Sequence, residues 1–299
     1  MLDFNLLFQH KQNFTGHIAM INAINESSIQ VIREVLTQTN ATFSLYNHQD
    51  VTELIRSYEM PAALLERIHI HTFDSAQEAI AQCLQDLDNQ CVDILMKGLI
   101  STAELLSAVL KHLNQNMKIP FFMNHLACCE IPDYHKLLFI SDVALNVQPT
   151  VEEHQKIIKN IKHFATQLGY QKLKVTMLSS VETPSSKIPS STQAKELKQI
   201  FSGENDEIQV EGPLAFDNAI NKQSAILKGI DSSVAGDADA LIVPQIDVGN
   251  VLYKSLTYFG RARVASLIIG APYPIILTSR ADSVSNKVNS VLLALKSLS

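Results

Sequence analysis

Two short stretches place cationic and hydroxyl side chains where an apolar run gives way to helical periodicity. In MKGLISTAELL, Lys97 and Gly98 end a run that reads as a strand, and Ser101 and Thr102 open a helix. Helix-start amides and the positive end of the helix dipole favour anions, a glycine lets a ligand approach the backbone, and Lys97 adds a full charge. Ser101 and Glu104 also match a capping box, and the plainer reading leaves Lys97 merely solvated. The stretch is not a Walker loop, since GxxxxGK[ST] is absent. In TSRADS, Ser279 and Arg280 leave a second apolar run just before a helix that begins near Asp282 or Ser283. The planar fork of Arg280 can hold two phosphate oxygens at once. Ser279 can donate to an oxyanion, and Asp282 is either an N-cap or a base.

A third group lies in EGPLAFDNAI and GDADALIVPQIDVGNVLYKSL, where Gly212, Asp217, Asn218, Gly236, Asp237 and Asp239 surround strand ends. Asn250, Tyr253 and Lys254 follow on an amphipathic helix whose apolar face is Val248, Val251, Leu252 and Leu256. The acids suggest a divalent cation, but the EF-hand ligand pattern is missing, and turns and caps are the plainer account of each of them. His125, in FFMNHLACCE, has a side chain suited to proton transfer near neutrality, with a structural role as the alternative. Cys128 and Cys129 sit in an apolar stretch without an activating partner, which reads as packing.

The elements that must position these residues follow from periodicity. HIAMINA, ATFSLYNH, RIHIHTF and VDILMKG each precede a helical pattern, which makes successive βα units. The run ACCEIPDYHKLLFISDVALNV reads as two strands meeting through a turn at Pro132 to Tyr134. Further strands are expected in KLKVTMLSSV, EIQVEG, DADALIVP, ARVASLIIGA and PIILTSR. Thr150 and Glu153 form a capping box for the helix after Pro149, and Gly169 suits its end. The Ser/Pro-rich segment 179–193 reads as a mobile surface loop, with a lid over a cleft as the functional alternative. Parallel sheets covered by helices are therefore expected, and 299 residues allow one large unit or two domains.

With 24 Lys+Arg against 30 Asp+Glu, the net charge of -6 supplies no general field for a nucleic-acid backbone. The four cysteines lack zinc spacing and the 10 histidines show no HExxH arrangement. No sustained apolar stretch reads as a membrane span or leader, and a cytoplasmic protein is expected.

Taken together, LMKGLISTAELL, KLLFISDVALNVQPT, GPLAFDNAI, the GDAD to YKSL string and TSRADS resemble the phosphate acetyl/butyryltransferase family, in this order and over most of the chain. KG before ST and the ending SRADS look more like its butyryl branch. The resemblance implies two three-layer α/β/α domains with mostly parallel sheets and a cleft between them, similar to isocitrate and isopropylmalate dehydrogenases. It implies domains at 1–127 plus 279–299 and at 128–278, with Ser279 and Arg280 opposite Asn250, Tyr253 and Lys254. The implied reaction moves a short acyl group between coenzyme A and inorganic phosphate, with coenzyme A, acyl phosphate and phosphate as substrates. Neither a tightly bound cofactor nor a metal is implied, and a homodimer or higher homo-oligomer is. Ser279, Arg280 and Asp282 become the expected catalytic set. Lys97, Gly98, Ser101, Thr102, His125, Asn250, Tyr253 and Lys254 become the expected substrate-binding set. The chain departs from the acetyl enzymes at Ser107, where they carry an arginine, and at Ser285 and Asn286, where they carry an acid. A metal- and NAD-dependent dehydrogenase and a non-catalytic coenzyme A and phosphate-binding paralogue are the alternatives.

Overall fold

The computed structural model describes residues 3–116, 120–203 and 207–298. Eleven described strands run as β1 (His17–Ile21), β2 (Thr42–Asn47), β3 (Ile68–Thr72), β4 (Ile94–Lys97), β5 (Asn124–Glu130), β6 (Leu138–Ser141), β7 (Leu173–Leu178), β8 (Ile208–Leu214), β9 (Ala240–Ile242), β10 (Arg263–Ile269) and β11 (Ile275–Ile276). Contacts divide the chain into two compact units. One comprises Phe8–Phe121 with Ala265–Ser299, and the other Met1–Leu7 with Phe122–Val264.

In the first unit the strand order is β3-β2-β1-β4-β11, with every neighbouring pair parallel and β10 added antiparallel to β11. β1 and β4 carry the apolar runs 18–21 and 94–96 because both faces of a parallel sheet are covered. All four β4 residues are buried, Lys97 included. The chain moves outward from β1 to β2 and β3, then returns to the other side of β1 to lay down β4. The order therefore reverses between β1 and β4, and at such a switch point the loops leaving the two carboxyl ends diverge and open a crevice. Asn25 caps the helix Glu26–Gln38 after β1 by accepting from the Ser28 amide at 2.9 Å. That helix packs against the C-terminal helix Val284–Ser297, while Ala76–Asp88, capped by Ser75, lies over β1 and β2.

The second unit orders its strands β5-β6-β9-β7-β8, antiparallel only between β5 and β6, where Ala127 faces Ile140. The antiparallel pair and the turn that joins it match the expectation from Pro132 to Tyr134. The capping box of Val151–Gln167 is complete: the Glu153 amide donates to Thr150 Oγ1 at 3.2 Å and the Thr150 amide to Glu153 Oε2 at 2.8 Å. The core of this unit gathers Ala127, Cys129, Ile140, Leu241 and Val264, all essentially buried, with Leu252 and Tyr253 packed against them.

The segment 179–193 differs from the mobile loop expected. Pro189 opens the helix Pro189–Phe201, a position where a missing amide hydrogen costs nothing. Ser191 is buried and pins the approach to it, accepting from the Ser185 amide at 2.9 Å and donating to the Ile188 carbonyl at 2.7 Å.

Candidate functional site

Residues from three carboxyl strand ends meet at the crevice between β1 and β4. Asn25 and Ser27 come from the loop and helix start after β1, Lys97 and Gly98 from the end of β4, and Ser279 and Arg280 from the turn after β11. With Lys287 they line a cavity of about 110 Å³. The cavity is small and its lining carries three cations, which suits a phosphate-sized group. Two roomier depressions, of about 570 and 600 Å³, lie elsewhere, and neither has more than one cation in its lining. Chemistry, not size, selects the site.

Lys97 is 6% exposed, and its ammonium donates to the carbonyls of Gly98 at 3.4 Å and Ile100 at 3.3 Å. Burial lowers its pKa from the ordinary 10.5, the neighbouring charges of Arg280 and Lys287 lower it further, and Asp282 pulls in the opposite direction. A buried ammonium facing two other cations is unfavourable until an anion enters.

Gly98 contributes in a different way from that expected. Its amide is spent on the Ile21 carbonyl at 2.8 Å, and a Cβ there would overlap the Asn22 and Ile21 carbonyls. The glycine lets the ends of β1 and β4 close together, which positions Lys97. Ser101 and Thr102 are exposed at the start of the helix Thr102–Asn116 and do not line the cavity. Ser101 Oγ accepts from the Glu104 amide at 3.3 Å, whereas the Glu104 carboxylate takes a hydrogen bond from Gln77. Half of the expected capping box is therefore present.

At the last turn, the cap of Val284–Ser297 is Ser283, whose hydroxyl accepts from the Asn286 amide at 3.2 Å. Asp282 instead folds back, with Oδ2 accepting from the Ser279 amide at 2.7 Å. The turn thus fixes Ser279, Arg280 and Asp282 relative to one another beside Lys97. Asn25, Ser27, Ser28 and Lys287 are polar cavity residues that sequence reading missed, and a lysine one turn inside a helix that follows SRADS was the sequence signal for Lys287.

The remaining expected residues belong to the second unit. His125 is buried on β5, and its amide donates to Asp142 Oδ2 at 3.1 Å. Asp142 also accepts from the amides of Ala144, Leu145 and Asn146, which fixes the loop after β6. Gly249 packs the helix Ile246–Tyr258 onto that loop so closely that a Cβ would collide with the Asp142 carbonyl. Asn250 donates to the Val143 carbonyl at 3.4 Å, Tyr253 packs on the core, and Lys254 is exposed on the same helix.

The acids of GDAD lie at the opposite, amino-terminal edge of β9. Asp237 accepts from Lys174 at 2.5 Å and from His135 at 2.7 Å, and pairs with Lys136 at 2.9 Å. Asp239 takes Lys136 at 2.6 Å and the Lys174 amide at 2.8 Å. Burial alone would raise the Asp237 pKa, but the hydrogen bonds from Lys174, Lys136 and His135 prevail and hold it well below the usual carboxylate range. These acids tie β6, β7 and β9 together. Among the described residues, no group of three or more His, Cys, Asp or Glu side chains is arranged to hold a metal ion. Cys128 and Cys129 are fully buried, and burial pushes the Cys129 thiol up to about 12, which makes it a poor nucleophile.

Cations gathered at the switch point of a parallel sheet are the arrangement of an α/β protein that handles small anions. The family model for phosphate acetyl/butaryl transferase matches residues 11–295, and the chain belongs to that family. It is 37% identical over 280 residues to a probable phosphate butyryltransferase of Bacillus subtilis, covering 93% of this chain and 92% of that protein. It is 32% identical over 292 residues to the phosphate butyryltransferase of Clostridium beijerinckii, covering 97% and 95%. The crystal structure of a branched-chain phosphotransacylase from Enterococcus faecalis matches with a TM-score of 0.82 at 29% identity, over 95% of this chain and 99% of that one.

Proposed function

We propose that the protein is an acyltransferase that moves a short-chain acyl group, butyryl-like or acetyl, between coenzyme A and inorganic phosphate. The observation that carries the proposal is the phosphate-sized cavity at the switch point, with Lys97 and Arg280 in its lining, in a member of the phosphate acetyl/butaryl transferase family.

In the direction of thioester synthesis, the coenzyme A sulfur attacks the carbonyl carbon of the acyl phosphate. A tetrahedral intermediate forms, the bond to the phosphate oxygen breaks, and phosphate leaves with the electron pair. Arg280 and Lys97 hold the phosphoryl oxygens and stabilise the leaving charge, which cations fixed in advance around the pocket do better than freely reorienting water. Ser279 donates to the carbonyl oxygen as it becomes an oxyanion. Asp282 takes the thiol proton, since it is the carboxylate fixed beside Ser279 by the turn. Gly98 holds the phosphate pocket together, and Ser101 and Thr102 present the first turn of their helix. His125, Asn250, Tyr253 and Lys254 serve the coenzyme A side, with Lys254 the exposed cation for its phosphates. No described helix is long and apolar enough to cross a membrane. A cytoplasmic homo-oligomer with no tightly bound cofactor completes the proposal.

The test is release of free thiol from butyryl-coenzyme A by the purified protein, with and without phosphate. Release that requires phosphate supports acyl transfer. Failure with butyryl-, acetyl- and branched short acyl thioesters alike would leave a binding protein instead.

A further inference from the structure

The helix Glu26–Gln38 contributes Ser27, Ser28 and Val31 to the cavity wall and the last helix contributes Lys287, and Lys287 is joined to Ser27. Lys287, one turn inside Val284–Ser297, donates from Nζ to Ser27 Oγ at 2.9 Å across 260 residues of sequence. Ser27 lies in the first turn of Glu26–Gln38, and both residues are half-buried in the lining that holds Lys97 and Arg280. An ammonium has three donors, of which Ser27 takes one. The cavity lining itself contains no carboxylate.

Charge decides what such a wall is for. Lys287 is close enough to Lys97 to depress its pKa, as Arg280 also does, while Asp282 is the one carboxylate that offsets them. Three cations against one anion leave a surplus of two positive charges. That surplus is unfavourable in the empty pocket and matches a doubly charged phosphoryl group.

We propose that Lys287 is a phosphoryl-binding residue, held in place by Ser27, and that the pair makes the pocket selective for the doubly charged form of phosphate. The assignment rests on the phosphoryl reading of the Arg280 pocket and deepens it. Phosphate passes from its singly to its doubly charged form near neutrality, so the selectivity is readable by titration on either side of it.

Calorimetric titration of the full chain with inorganic phosphate at pH 6 and pH 8 tests this. The unmodified protein binds more tightly at pH 8. K287Q weakens binding at pH 8 by about tenfold, the worth of one charge-assisted hydrogen bond, and loses most of the difference between the two pH values. K287R keeps the charge and stays within about threefold of the unmodified protein, and S27A loses roughly two- to fivefold because Lys287 is freed but still charged. K287Q with unmodified affinity at both pH values overturns the proposal. Should K287Q fail to fold, S27A with unmodified affinity at both pH values overturns it. A protein that binds phosphate in this way but releases no thiol contradicts acyl transfer and leaves the Lys287 assignment standing. Loss of phosphate binding in R280Q but not in K287Q contradicts the Lys287 assignment alone.

Discussion

Asp282 Oδ2 accepts a hydrogen bond from the backbone amide of Ser279 at 2.7 Å, so the proposed base and the proposed oxyanion donor share one turn. Asn at position 282 can keep that bond through its carbonyl oxygen while losing the charge. D282N should fold with an unchanged Tm and lose about a hundredfold in kcat, within the range for a general base. D282A should lose the turn as well and bind phosphate less well. Unmodified turnover in D282N would confine Asp282 to holding the turn.

Lys97 predicts a pH dependence. Its pKa is lowered by burial and by the Arg280 and Lys287 charges, so the empty pocket sheds that proton at a lower pH than an ordinary lysine. Bound phosphate favours the ammonium. The Lys97 contribution to phosphate affinity is therefore complete below the lowered pKa and falls as pH rises through it. Removing one repelling cation, as in R280Q, moves this alkaline limb to higher pH while lowering affinity overall. Phosphate KM against pH in both proteins reads the shift, and an unmoved limb would disconnect Lys97 from Arg280.

Gly98 should tolerate no side chain. The Cβ of G98A meets two carbonyl oxygens of β1 and the residue after it, and neither can move without breaking the β1–β4 register. Overpacking of this kind costs about 1–3 kcal/mol. G98A should have a lower Tm and weakened phosphate binding together. A stable variant with unmodified phosphate affinity would show that the strand ends do not set the pocket.

Asp237 should matter for stability and not for turnover. Its folded-state pKa is depressed, so its contribution is complete above the unfolded-state value, near 3.8, and is lost as pH falls below it. D237N should cost about 1–2 kcal/mol at pH 7, a figure reduced for the carboxylate's partial exposure. The gap between it and the unmodified protein should close as acid is added. Denaturant titrations at pH 7 and pH 3.5 measure this, and an equal gap at both would contradict the ion-pair account.

The sequence made the βα units legible because each strand is a short apolar run followed by helical spacing and a recognisable cap, as with Ser75 and Thr150. Lys97 and Arg280 were legible for a related reason, since both stand at a strand-to-helix turn. Lys287 and Ser27 were not, because each sits in an ordinary amphipathic helix and only the packing of the first helix on the last brings them together. The GDAD acids left a metal reading open because spacing does not tell which edge of a sheet a turn occupies. Their partners Lys136 and Lys174, far apart in sequence, decide it.

Phosphate dependence of turnover in R280Q tests most directly whether the switch-point cavity is where phosphate reacts. With butyryl-coenzyme A saturating, R280Q should raise the phosphate KM by about ten- to a hundredfold, the loss of one or two charge-assisted hydrogen bonds, and leave the thioester KM nearly unchanged. An unchanged phosphate KM would remove Arg280, and the cavity with it, from the reaction.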